Sequence, residues 1–188
     1  MLYTVRCRFT DPAREEEWNR WYRGHLDVLL SVPGFLAAQR FHSAQTPDDR
    51  PYFAMYEVAG PEVFTSEAYL AIWGFDTWRP FIDNWTRDLS EPRGAGGFDF
   101  ATPAGARLRA SFVTGAATAD ALAGLSGDQH ALVAGLDRSC SGIAWRVLPP
   151  GAAQVAPLAL PGLEVTEALY EPLTEWLTPE RSQGVEPQ

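Results

Sequence analysis

Side-chain character changes with a readable period from the first residues onward. Over Leu2–Phe9, Tyr3, Val5, Cys7 and Phe9 alternate with Thr4, Arg6 and Arg8, the two-residue repeat of a strand. The period then lengthens. Across Asp11–Val32, Trp18, Trp21, Tyr22, His25, Leu29 and Val32 recur at three- and four-residue spacing, which predicts a helix with an aromatic stripe. Arg14, Glu15, Glu16, Asn19, Arg20 and Arg23 fall on its other face. Asp11-Pro12 reads as its cap and first helical position, and Pro33-Gly34 ends it. Phe35–His42 and Tyr52–Val58 alternate again and predict two strands joined by the polar loop Ser43–Arg50. Gly60-Pro61 opens a short helical stretch over Val63–Ile72. Asp76 or Thr77 caps a further helix, with Trp78, Ile82 and Trp85 on one face and Pro80 near the first turn. Glu91–Gly97 then reads as a loop, its glycines a turn rather than a phosphate loop, and Phe98–Ala101 as a fourth strand.

Strand, helix, strand, strand, helix, strand is the split βαβ order of a ferredoxin-like α+β sandwich, with helices on one sheet face. The bare face needs a cover, and two such sheets packed face to face would enclose a barrel-like cavity. Thr102–Gly105 marks a change of composition and closes a first unit, 1-101. In 105-177, Arg107–Thr114, His130–Leu136, Ile143–Leu148 and Leu163–Tyr170 read as strands, Ala117–Leu125 as a short helix and Pro149–Pro161 as a long loop. This stretch is a candidate for a divergent, shortened second half, although no sequence repeat is evident. The tail 178-188 reads as disordered.

Composition narrows the chemistry. A net charge of −9 argues against nucleic acid as a partner. All 15 basic residues are arginine, which excludes a Schiff-base lysine and a phosphate-loop lysine. Cys7 and Cys140 are isolated and read as reduced, structural thiols of a cytoplasmic protein. No run is apolar enough to span a membrane. His25, His42 and His130 have no metal-ligand spacing, and no cofactor motif is present, so neither metal nor cofactor is expected.

His25 is the candidate catalytic group, because an imidazole among indoles and a phenol is suited to moving a proton near neutral pH. The alternative is a buried, hydrogen-bonded structural histidine. Asp27 lies off the His25 face, and Glu57 is the better orienter if both point inward. Arg6, Arg8 and Arg40 would make the cavity cationic and suit a carboxylate, phenolate or enolate, if they line it rather than rim the sheet. Trp21, Tyr22, Tyr52, Tyr56, Trp73, Trp78 and Trp85 are candidates to wall the substrate, with core packing the plain alternative.

The run EEEWNRWYRGHLDVLLSVPGFLAAQRFH at Glu15–His42 resembles the first helix and second strand of dimeric α+β barrel proteins, and is most similar to the EthD-like branch. Tyr52–Val58 followed by Gly-Pro-Glu-Val-Phe suits the same group, so the resemblance covers about the first hundred residues. It implies a ferredoxin-like unit packed on another across a small-molecule cavity, with His25 at the matching position. It also implies a homodimer, unless the segment after Thr102 closes the barrel within one chain. The expected function is a cofactor-independent enzyme, an isomerase or cyclase, or a lyase or decarboxylase, acting on a small apolar or aromatic molecule with a carbonyl or acidic group. A metal- and flavin-free oxygenase is a further option. The alternative from another class is a non-catalytic binding or assembly module of the same fold.

Overall fold

Eight antiparallel strands close into one barrel within this single chain. The structure, a computed structural model, describes residues 1–92, 97–123, 129–152 and 159–182. The strands are β1 (Leu2–Phe9), β2 (Phe35–His42), β3 (Tyr52–Val58), β4 (Ile82–Pro92), β5 (Arg107–Thr114), β6 (Gln129–Leu136), β7 (Gly142–Leu148) and β8 (Glu164–Pro172). The helices are α1 (Glu15–Leu30), α2 (Glu67–Leu70), α3 (Ala119–Ala123) and α4 (Pro179–Ser182). Around the barrel the order is β1-β3-β2-β8-β5-β7-β6-β4. Each half therefore repeats one arrangement, β4-β1-β3-β2 and β8-β5-β7-β6. The halves join through β4–β6, from Asp88↔Leu136 to Pro92↔Ala131, and through the short β2–β8 ladder at Phe41↔Pro172 and His42↔Glu171.

The alternating patterns map directly onto β1, β2, β3 and β5, and onto β6, β7 and β8 within two residues at each end. The opening helix is shorter than its pattern. Pro12–Arg14 forms a 3-10 turn, and Asp11 pairs with Arg14 at 3.0 Å instead of capping. Beyond α1, Gly34 adopts φ +99°, and a Cβ there would lie 2.4 Å from Val63 Cγ2. Gly34→Ala is expected to cost about 1–3 kcal/mol from backbone strain and this clash, read as a lower midpoint in chemical denaturation.

Two sequence expectations are corrected. The helix expected to carry Trp78, Ile82 and Trp85 is a 3-10 turn over Asp76–Phe81 followed by strand β4, so Ile82 and Trp85 lie on a strand. Pro80 removes a helical donor, and pairing with β1 and β6 supplies the backbone partners. Phe98–Ala101 is not a strand. It places Phe98 and Phe100 in the barrel core and is fixed by Trp145 Nε1 donating to Asp99 O at 2.9 Å and by Gln39 bonding both ways with Thr102. Of the expected glycine turn, residues 94–96 lie outside the described residues, as do 124–128, 153–158 and 183–188 of the other loops and the tail. Pro179–Ser182 forms a helical turn beside α1.

Phase along each strand divides the core in two. Leu2, Phe41, Phe53, Met55, Phe112, Trp145 and Tyr170 point inward with Phe100 and fill the barrel. The opposite faces of β1 and β3, with Tyr3, Val5, Cys7, Ala54 and Tyr56, pack under Trp18, Tyr22, Leu26 and Leu29 of α1. The hollow between two β-layers expected from sequence is thus a packed interior. The space next to His25 lies outside the barrel, under the helix.

Candidate functional site

A small pocket opens between α1, the outer faces of β1, β3 and β4, and the segment from Tyr69 to Phe75. Its lining includes Tyr22, His25 and Leu29 from α1, Tyr3 and Val5 from β1, Tyr56 from β3, and Trp85 and Arg87 from β4. Tyr69, Trp73, Gly74 and Phe75 close it. Its volume is about 20 Å³, room for one water. Two roomier surface grooves, about 630 and 550 Å³, hold carboxylates such as Asp49, Glu167 and Glu175 but neither histidine nor phenol.

Helical spacing places His25 one turn beyond Trp21, and the two rings stack at 4.8 Å and 12°. Tyr22 meets the imidazole edge-on at 5.9 Å. No hydrogen bond engages either ring nitrogen among the described residues. Burial lowers the imidazole to about 4, with Asp76 acting the other way, so the ring is neutral at pH 7, its lone pair open to a proton but a weaker base than a solvated imidazole. The expected orienter, Glu57, is elsewhere. It shares the inward phase of Leu2 and Ala37, its register partners, on the far side of the sheet. Asp27 is taken by Arg23 at 2.7 Å.

Facing His25 are phenols. Tyr22 and Tyr56 share a hydrogen bond of 3.2 Å, the Tyr3 ring lies 5.2 Å from that of Tyr56, and Tyr69 completes the group. Burial pushes Tyr22 up to about 12 and raises Tyr3 and Tyr56 well above the usual phenol range, so all three stay protonated. The Tyr22–Tyr56 pair uses one hydrogen between its members and leaves the other for a guest. The imidazole can therefore accept a proton while the phenols around it donate hydrogen bonds, the division needed to deprotonate an acid and hold its oxyanion.

Arg87 supplies a cation at the rim. Its guanidinium lies 5.2 Å from the Trp73 ring and 5.0 Å from the Trp85 ring, which themselves stack at 6.2 Å. Asp137, at the end of β6, accepts from Arg87 N at 2.8 Å and faces its Nη2 at 3.4 Å.

Of the residues singled out in sequence, Tyr22, His25, Tyr56, Trp73 and Trp85 meet in this pocket. Trp21 supports His25 from behind, and Trp78 packs against Phe9 and Trp21. Tyr52 lies under Trp18 and donates to Glu15. The three arginines do not converge. Arg6 points into the barrel, over Phe112 at 3.6 Å and paired with Asp48 at 2.6 Å. Arg8 is half exposed between Asp49 and Asp83. Arg40 lies beneath α1, against Trp18, Tyr22 and Tyr52. Tyr3, Tyr69, Phe75 and Arg87 are the pocket residues that the sequence reading missed. Tyr3 was legible, since it shares the apolar phase of β1, whereas Arg87 was hidden by reading β4 as helix.

No protein-family model and no curated protein matches the sequence. Among solved structures, the chain is similar to an anthrone oxidase-like protein at 12% identity and TM-score 0.58, covering 96% of this chain and 94% of that one. It is similar to a putative monooxygenase from Lactobacillus acidophilus NCFM at 9% identity and TM-score 0.53, covering 95% and 96%. A putative chlorite dismutase aligns at 11% identity and TM-score 0.50, over 98% and 99%. The chain shares the fold of these structures, a closed eight-stranded antiparallel barrel with helices packed against it. In this α+β barrel both β-layers come from one polypeptide. Among the described residues no group of three His, Cys, Asp or Glu side chains is placed to hold a metal ion, and no helix is long and apolar enough to cross a membrane. Cys7 and Cys140 are buried, and burial pushes both thiols up to about 12.

Proposed function

We propose that this chain is a small-molecule enzyme in which neutral His25 takes a proton from a weakly acidic C–H or O–H of a small, flat carbonyl or phenolic substrate. The pocket phenols, with Arg87 at the rim, hold the oxyanion that forms. One observation carries this reading: a half-buried imidazole with no hydrogen-bond partner among the described residues shares a cavity with the hydrogen-bonded Tyr22–Tyr56 pair. The strand order of each half supports two ferredoxin-like units, 1-101 and 105-177, that close one barrel without a second copy; that they are of the EthD-like kind, in a soluble cytoplasmic protein, is proposed from the sequence alone. Isomerisation and cyclisation begin with such a proton transfer, whereas decarboxylation breaks the C–C bond to release CO2 and leaves a carbanion that the same donors would hold as its enolate until it is protonated. The names of two similar structures, an oxidase-like protein and a monooxygenase, favour a second outcome, in which dioxygen oxidises the same carbanion or phenolate.

A substrate larger than water enters when the Trp73–Phe75 segment swings outward. Trp73 is 45% exposed, and Gly74 takes φ +101° with open space around it. Trp73→Ala is expected to speed ligand entry several-fold with little loss of stability, as measured by stopped-flow binding of a small phenol.

The function is tested by incubating the protein with small enolisable ketones and phenols in D2O and following exchange of acidic C–H positions by NMR. Exchange above the buffer rate supports the enzyme. Ligands that bind without any exchange identify a non-catalytic binding module instead.

A further inference from the structure

Arg40 sits on the phase of β2 that faces α1, with 1% exposure, and its Nη2 meets no hydrogen-bond acceptor. No carboxylate lies within ion-pairing distance of it among the described residues. Three rings hold the guanidinium instead: Tyr22 at 4.0 Å, Trp18 at 4.3 Å and Tyr52 at 4.8 Å. Such a group is costly to bury without a countercharge.

The ionisable neighbours come from every element around it: Cys7 on β1, Tyr22 on α1, Tyr52 and Tyr56 on β3, and His42 on β2 itself. Burial keeps the thiol and the phenols protonated, and it lowers His42 toward the neutral form. Glu15 is reached only past Tyr52, whose hydroxyl it accepts. Nothing in contact with Arg40 cancels its charge in the resting protein. An uncancelled cation in a low-dielectric wall favours whichever nearby state is negative.

The Tyr22 ring that Arg40 touches is also a wall of the pocket, and the Tyr22 hydroxyl is bonded to that of Tyr56, a second wall. Arg87, by contrast, is already matched by Asp137. We infer that Arg40 is a positioning residue that acts through the Tyr22–Tyr56 pair and makes the pocket select the phenolate or enolate form of a small flat ligand over the neutral form. The cation polarises the ring and hydroxyls in front of it, so the phenol hydrogens are offered to a guest oxygen that carries negative charge. This inference rests on the pocket being the ligand site proposed above, and it adds the class of ligand.

The test titrates 4-nitrophenol and its neutral methyl ether into wild type, Arg40→Met, Arg40→Gln and Tyr56→Phe, with absorbance reporting ionisation of the bound phenol. Wild type is expected to prefer the phenolate. Arg40→Met is expected to lose about tenfold of that preference, the scale for a charge one side chain away in protein interior, with affinity for the ether unchanged. Tyr56→Phe, which keeps the charge and removes the relay, is expected to lose preference too. Should Arg40→Met fail to fold, Arg40→Gln makes the same comparison. Equal losses for both ligands, or an undiminished preference without the charge, overturn the role of Arg40. A wild type that binds both without preference does the same and leaves the pocket reading standing. If wild type binds neither, both readings fall.

Discussion

His25→Gln is expected to lower enzyme-dependent C–H exchange by about a hundred- to ten-thousand-fold at pH 7 while the protein stays folded. Gln fills similar space and keeps a polar end, but it cannot hold a transferred proton. The wild-type pH profile supplies a second, independent readout. A base with its pKa at about 4 is active in its neutral form, so kcat/KM should rise through about pH 4 and stay flat to neutrality. A profile rising near the ordinary 6.5 would mean that the ring is solvated and not enclosed in the pocket. Stability should follow the same group. The folded pKa is depressed below the unfolded value, so between about 4 and 6.5 the unfolded chain binds the extra proton. The full contribution is therefore present above 6.5 and is lost as pH falls toward 4, a change on the order of 2–3 kcal/mol. His25→Gln should remove that part of the acid sensitivity. A smaller part remains, because burial lowers His42 as well.

Trp145→Ala is expected to destabilise the fold by about 3–5 kcal/mol, through lost burial and the hole left behind. Trp145 is 1% exposed, packs near Phe98, and donates to Asp99 O at 2.9 Å, so truncation also frees the segment that carries Phe98 and Phe100 into the core. The denaturation midpoint should fall at unchanged slope. Added indole should recover part of the loss by filling the hole, as apolar ligands do in engineered cavities. A cost below about 1 kcal/mol would show that the barrel interior is loosely filled, and would return it to consideration as a ligand cavity.

Side-chain phase along a strand decides how legible that strand is in the sequence. β1, β2, β3 and β5 were legible to the residue because apolar side chains recur at two-residue spacing along each and Pro, Gly or polar loops bound them. β4 was not. Its inward positions include Asp88 and Ser90, both buried, and Asp88 is satisfied there by Ser139 N at 2.6 Å and by the Ser139 hydroxyl. A strand with polar residues facing the core shows no two-residue apolar repeat, and Trp78, Ile82 and Trp85 then mimic a helical stripe. Arg87 went unread with it.

The arginines show a different limit. Alternation fixes which residues of one strand share a face, but register fixes which faces of neighbouring strands agree. Arg6 pairs with Phe53, and Phe53 pairs with Phe41, so Arg6 shares a side with Phe41 and Arg40 takes the other. A shift of a single residue, invisible without the ladder, separated groups expected to act together. His25 needed no such information, since helical spacing from Trp18 and Tyr22 already aimed it at the sheet.

Joining both layers in one polypeptide has a stoichiometric consequence. A barrel of two identical halves would present the same helix-covered recess twice. Here the described helix over one layer has 16 residues and its counterpart over the other has 5. The second half reaches the proposed site through Asp137, which pairs with Arg87 at its rim. One equivalent of ligand per molecule, rather than two, should saturate the protein.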